Sequence, residues 1–231
     1  MGEEAPDVHP GLLALTWRSA IRGVIAASGL TSVAVISRSG VAEAFAAVIA
    51  ITIALPLLML PNQPSKSRLL IGGTTFFSVS LVLLLMPVTF ATWAACVAIL
   101  CAQALLMIGL ISTLREPTIV VVASLLWLSW PVWLSVHLAG HEQWATSLAA
   151  VHPLLAINGQ LLDQAIWTER PLMYGWTALN QDVPYAIPTT IVTCVAFNGI
   201  LAVLLIACPI LAGPLVSRVF RPHGPQAGRL K

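Results

Sequence analysis

Three histidines are the side chains best placed by type and spacing for chemistry. His137 and His141 are four apart, so on a continuous helix their imidazoles share one face at the separation two ligands to one metal require. His152 adds a third nitrogen, or one axial ligand to a haem. The simpler account is that the three are interfacial histidines: such spacing arises readily by chance, and Ala139-Gly140 is a helix end between the first two. No cofactor is expected, and His137, His141 and His152 are the candidates if a metal is held.

The four cysteines, Cys96, Cys101, Cys194 and Cys208, all lie inside apolar runs with no Cys-x-x-Cys spacing, and behave there as small hydrophobes. Gln103 and Asn198 are the polar amides inside apolar runs, where a bridging hydrogen bond between helices is the commoner use. No Asp, Glu, Lys or Arg falls in the middle of such a run, which weighs against a proton-coupled carrier or pump. There is no Gly-x-Ser-x-Gly, His-Glu-x-x-His, P-loop or dinucleotide fingerprint, so no enzymatic activity is expected. A net charge of +2 gives no reason to expect nucleic acid as a partner.

A second group of candidates lies between residues 139 and 186. Trp144 to Leu162 is apolar but interrupted by His152-Pro153 and by Asn158-Gly159, the latter a turn signal. Each half is too short to cross a bilayer, so the segment is expected to be a re-entrant or interfacial helix–break–helix, with His152, Pro153, Asn158 and Gly159 as gating candidates. A polar and aromatic stretch follows, with Trp167, Glu169, Arg170, Tyr174, Trp176, Asn180, Asp182 and Tyr185. Trp127, Trp130 and Trp133 come just before the loop, and such rings concentrate at the headgroup level.

The elements that must position these residues are dictated by where charge is missing. Leu69 to Leu114 runs for 46 residues without a charged side chain, and Ala44–Ser65, Pro117–His141 and Val183–Ser217 are charge-free as well. Mean hydropathy is +0.91 and charged residues make up 9% of the chain. Hydrocarbon offers the backbone no partners, so such runs are stable there as helices. At about 20 residues per crossing, the expectation is an all-α polytopic membrane bundle of about six transmembrane helices, near 20–37, 41–60, 68–87, 90–113, 118–138 and 187–212. Pro61, Pro64, Pro87 and Arg115-Glu116-Pro117 supply the breaks.

With six crossings, nine basic residues (Arg18, Arg22, Lys66, Arg68, Arg115, Arg218, Arg221, Arg229, Lys231) lie on the cytoplasmic side and two, Arg38 and Arg170, lie outside. The positive-inside rule prefers this to the seven-to-four split of a five-crossing arrangement. A single transmembrane domain results: a cytoplasmic or interfacial N-terminus over 1–19, five crossings in 20–138, an extracytoplasmic loop over 139–186, a sixth crossing over 187–212 and a basic cytoplasmic tail over 213–231. The expected location is a bacterial cytoplasmic membrane with both termini inside. Ala42, Ala46, Ala50 and Ala54 share one face of the second crossing, able to seal a helix pair within the chain or a homodimer.

The apolar segment Pro10–Arg18 ahead of the first crossing suits an interfacial helix. That elbow-like segment, six helices and the broken element Trp144–Leu162 together resemble the membrane subunit of an ABC-2-type permease. The likeness covers the architecture of most of the chain, and no sequence motif carries it. It implies a non-catalytic transport subunit working with a separate ATPase subunit. One feature departs from that family: the connection Pro61–Ser67 is short where the family has a longer coupling segment. The other expectation open at this point is a structural or haem-holding subunit of a respiratory-type membrane complex. Either way the partners are the bilayer and other membrane-complex subunits.

Overall fold

The structure is a computed structural model, and it describes residues 40–59, 65–84, 88–161 and 186–219. Every regular element among them is helical. The chain runs through α1 (Gly40–Leu58), α2 (Ser65–Leu83), α3 (Phe90–Leu114), α4 (Pro117–Leu128), α5 (Trp130–Trp133), a 3₁₀ turn (Ser135–Leu138), α6 (Glu142–Val151), α7 (Pro153–Gln160) and α8 (Val192–Val219). The helix expected over 20–37, the segment Pro10–Arg18 and the tail beyond residue 219 lie outside the described residues.

Local chemistry explains where the helices stop. Thr89 caps α3 by accepting from the Thr92 N–H, and Arg115 ends it in the left-handed region at φ 58°, its N–H bonding back to Ile111. Pro117 then opens α4, its missing donor harmless in a first turn. The single helix expected over 118–138 is broken. α4 ends at Leu128, and Pro131 sits in the first turn of α5, where its ring excludes a continuous i to i−4 ladder through Trp127. The chain then tightens into the 3₁₀ turn and leaves it through Gly140 at φ 77°.

By length and composition α3 alone among the described residues is long and apolar enough to cross a bilayer. Ala44–Leu58, Leu70–Leu81, Pro117–Leu128 and Val192–Ala207 are apolar but shorter. α1 packs against α2, α3, α4 and α7. Val48, Ile51 and Leu55 on it are wholly buried. Ala50 and Ala54 of its alanine face are buried too, so that face is used within the chain. The most extensive pairing is α3 with α8. It is close because Gly109 has no side chain: a Cβ there would stand 3.0 Å from the Ala202 carbonyl and 3.1 Å from the Leu205 Cβ.

Apolar surface is arranged outside as well as inside. Val192, Ile200, Val203 and Leu204 form a stripe down α8, each at least 60% exposed. Ile119, Val122 and Leu126 do the same on α4, and so do Phe77 and Leu81 on α2 with Leu84 just past its end. Meanwhile Thr52, Gln103, Ser124, His152, Asn158 and Asn198 are buried.

Candidate functional site

Three of the buried polar groups belong to the α6–α7 pair or bond to it: His152 between the two helices, Asn158 on α7, and Asn198, which reaches the Val151 carbonyl from α8. Pro153 sits in the first turn of α7, so the chain breaks immediately before it and His152 takes the capping position with extended backbone. Its Nδ1 accepts from the Leu155 N–H at 3.3 Å. An accepting Nδ1 leaves the proton of the neutral ring on Nε2. The ring lies edge-on to both Trp127 and Trp130, with centroids 5.7 Å from each. Burial drives its pKa down to about 3; the carbonyls of Leu128 and Trp127 pull the other way, yet neither meets Nε2 in hydrogen-bond geometry. His152 is therefore a neutral, structural imidazole at ordinary pH.

α7 is enclosed from end to end: Pro153 through Gly159 are all buried. It lies against both α1 and α3. The turn expected at Asn158-Gly159 is absent, since both residues continue the helix to Gln160. Gly159 is needed for close approach instead: a Cβ there would overlap the Pro188 carbonyl on the lead into α8. Three hydrogen bonds hold the same seam. Gln160 Nε2 donates to the Thr189 carbonyl at 3.0 Å, the Ala186 N–H donates to Thr146 Oγ1 at 3.2 Å, and Asn198 Nδ2 donates to the Val151 carbonyl at 3.1 Å. The broken element is thus fastened on both sides of its break.

Several buried polar atoms have no partner. Both amide atoms of Asn158, Nε2 of His152, Nε1 of Trp130, and the side-chain oxygens of Gln103 and Asn198 make no hydrogen bond. Each such group costs about 1–3 kcal/mol of desolvation. Fully buried Asn158, orphaned at both atoms, is the sharpest case.

Comparison with protein-family models, with curated proteins and with solved structures finds no match.

The histidines do not converge. His137 and His141 are exposed, one on the 3₁₀ turn and the other past Gly140, with His141 Nδ1 3.2 Å from the Ala139 carbonyl. His152 is wholly buried, and no three His, Cys, Asp or Glu side chains among the described residues could share a metal. Cys96 and Cys194 are buried, Cys101 is exposed, and all three are free thiols. Gln103 and Asn198 both bridge helices: Gln103 Nε2 donates to Thr52 Oγ1 at 2.9 Å, joining α3 to α1, and Asn198 joins α8 to the end of α6.

Trp167, Glu169, Arg170, Tyr174, Trp176, Asn180, Asp182 and Tyr185 lie outside the described residues. Of the tryptophans grouped as a headgroup belt, Trp133 is half exposed, Trp127 is half-buried and Trp130 is 1% exposed. Trp130 is a core residue because the Pro131 break turns it inward onto His152. The sequence signal for that was present in Ser129-Trp130-Pro131, a proline two residues past a helix end.

Beside this junction is an open cleft of about 260 Å³, lined by Leu106, Met107 and Leu110 of α3, Ala123, Ser124 and Trp127 of α4, and Phe197, Asn198 and Leu201 of α8. α4 and α8 both lean on α3, and the cleft is the gap between them. Ser124 spends its hydroxyl on Met107 Sδ at 3.4 Å, so the lining is almost wholly apolar.

Proposed function

We propose that this protein is a multi-pass integral membrane protein of the bacterial cytoplasmic membrane, with six crossings and both termini inside, serving as a non-catalytic transport subunit. The observation that carries the membrane assignment is the inverted distribution of polarity, with apolar stripes facing outward on α2, α4 and α8 while Thr52, Gln103, Asn158 and Asn198 are buried. In hydrocarbon such stripes cost nothing and the buried amides become the helix-joining contacts. Lipid contact also explains why apolar residues are spread evenly around α1, α3, α4 and α8.

The transport assignment draws on the enclosed, interrupted pair α6–α7. Helices broken at membrane depth are tolerated where protein covers them, and in transporters they supply the substrate path. Orphaned Asn158 fits such a path better than it fits a packing role. A separate ATPase subunit is the partner that the permease resemblance implies. The haem-holding alternative has less support: with Nδ1 accepting at the α7 cap, the unpartnered Nε2 of His152 carries the ring proton and offers no lone pair to iron.

Reporter fusions after Gln63 and Lys231 are expected to report cytoplasm, and one at Arg170 the outside. A periplasmic signal at Lys231 would overturn the topology. Asn158→Leu separates path from packing: it should raise thermal stability in detergent while failing to complement a deletion strain. Full complementation by a stabilised Asn158→Leu protein would remove α7 from any transport role.

A further inference from the structure

We propose that the cleft between α4 and α8 is a binding site for one acyl chain of a membrane phospholipid. The inference rests on the membrane assignment above and goes beyond it, because it picks out one groove from a large lipid-facing surface. Its volume of about 260 Å³ exceeds the roughly 150 Å³ that suffices to hold a benzene-sized apolar guest and falls just under the range of about 300–1,000 Å³ typical of small-molecule pockets. That is room for a stretch of a single acyl chain.

Three features argue for hydrocarbon as the occupant. The lining is almost wholly aliphatic and aromatic: Ser124 spends its hydroxyl on Met107, the Asn198 amide nitrogen is held by Val151 and Cys194, and the unpartnered Asn198 oxygen is buried. The cleft is continuous with surface the chain already turns outward, since Ala123 and Phe197 at its rim are exposed and adjoin the stripes of Leu126 on α4 and Ile200 on α8. Finally, Ala123 puts only a methyl group on the α4 wall of the groove, where a larger side chain would fill the space along α3.

The position matters for the broken helix. Trp127 forms one wall and stacks edge-on against His152, while Asn198 forms another and holds the Val151 carbonyl just before the break. A chain seated in the cleft therefore braces the two residues that fix the α6–α7 junction. The walls of an unfilled groove forgo dispersion attraction on one side, and an occupant of matching polarity restores it.

The test uses the full-length protein in phosphatidylcholine liposomes doped with phosphatidylcholine carrying a diazirine on one acyl chain. After irradiation and digestion, labelling at Leu106–Leu110, Ala123–Trp127 and Phe197–Leu201 is expected to exceed, by several fold, labelling of the stripes at Phe77–Leu84 and Val203–Leu204. Ala123→Phe should abolish that excess and leave the stripes labelled. Equal labelling of cleft and stripes in the unaltered protein would overturn the acyl-chain site while the membrane assignment stands. Labelling of neither would overturn both.

Discussion

At the scale of single residues, two positions next to the break have opposite reasons for their identity. Gly159 is a glycine because the Pro188 carbonyl occupies the space of a Cβ. Gly159→Ala should therefore destabilise the protein by about 1–3 kcal/mol, the usual cost of overpacking, read as a lower melting temperature in detergent; an unchanged melting temperature would mean that the α7–Pro188 seam yields freely. His152 is chosen for a cap that must stay neutral. Its pKa falls from 6.5 to about 3 on folding, so the unfolded chain binds a proton that the folded one refuses. Stability is complete above about pH 6.5 and is lost progressively as pH falls toward 3. His152→Asn keeps a capping oxygen for the Leu155 N–H and removes the titration. Its stability should be lower at neutral pH but flatter between pH 6.5 and 4 than that of the unaltered protein. Parallel curves would show that other groups set the acid sensitivity.

At the scale of elements, the helices are joined by volume matching and by a few polar ties. The α1–α3 tie is Gln103 to Thr52, whose hydroxyl in turn donates to the Val48 carbonyl at 2.8 Å. Thr52→Val strands the whole Gln103 amide, since its oxygen already has no partner, and should cost about 1–3 kcal/mol. Adding Gln103→Leu removes the stranded group, so the double variant should be more stable than Thr52→Val alone. If the double variant is the less stable of the two in a denaturant titration, the tie contributes by packing and not through its hydrogen bond. Of the element boundaries, those at Thr89, Arg115 and Pro117 were legible as capping and proline signals. The break at Ser129 had only Pro131 as its signal, and the apolar runs on both sides outweighed it by reading as one continuous helix.

For the whole molecule, the membrane reading proposed above turns exposure on these helices into contact with hydrocarbon. Cys101 lies exposed on the side of α3, midway along the helix that is long and apolar enough to cross. In a variant with Cys96, Cys194 and Cys208 changed to alanine, Cys101 is expected to resist a water-soluble maleimide in liposomes and to react after solubilisation in dodecyl sulfate, because the attacking thiolate needs water. Rapid labelling in liposomes would place α3 against an aqueous surface and count against the bundle orientation proposed here.

Helical content, most of the helix ends and the interruption before Pro153 follow from the sequence alone, since long charge-free runs read as helices and prolines and caps punctuate them locally. Which face of each helix turns inward did not. When apolar residues surround a helix evenly there is no period to read, so facing is decided by fits between distant positions: Gly109 under Ala202, Gly159 under Pro188, Thr52 opposite Gln103. The same cause hid the site. Asn158-Gly159 has the composition of a turn, and only packing of α7 between α1 and α3 makes it helix; Trp130 has the composition of a headgroup anchor, and only the inward swing after Ser129 makes it the wall that keeps His152 dry.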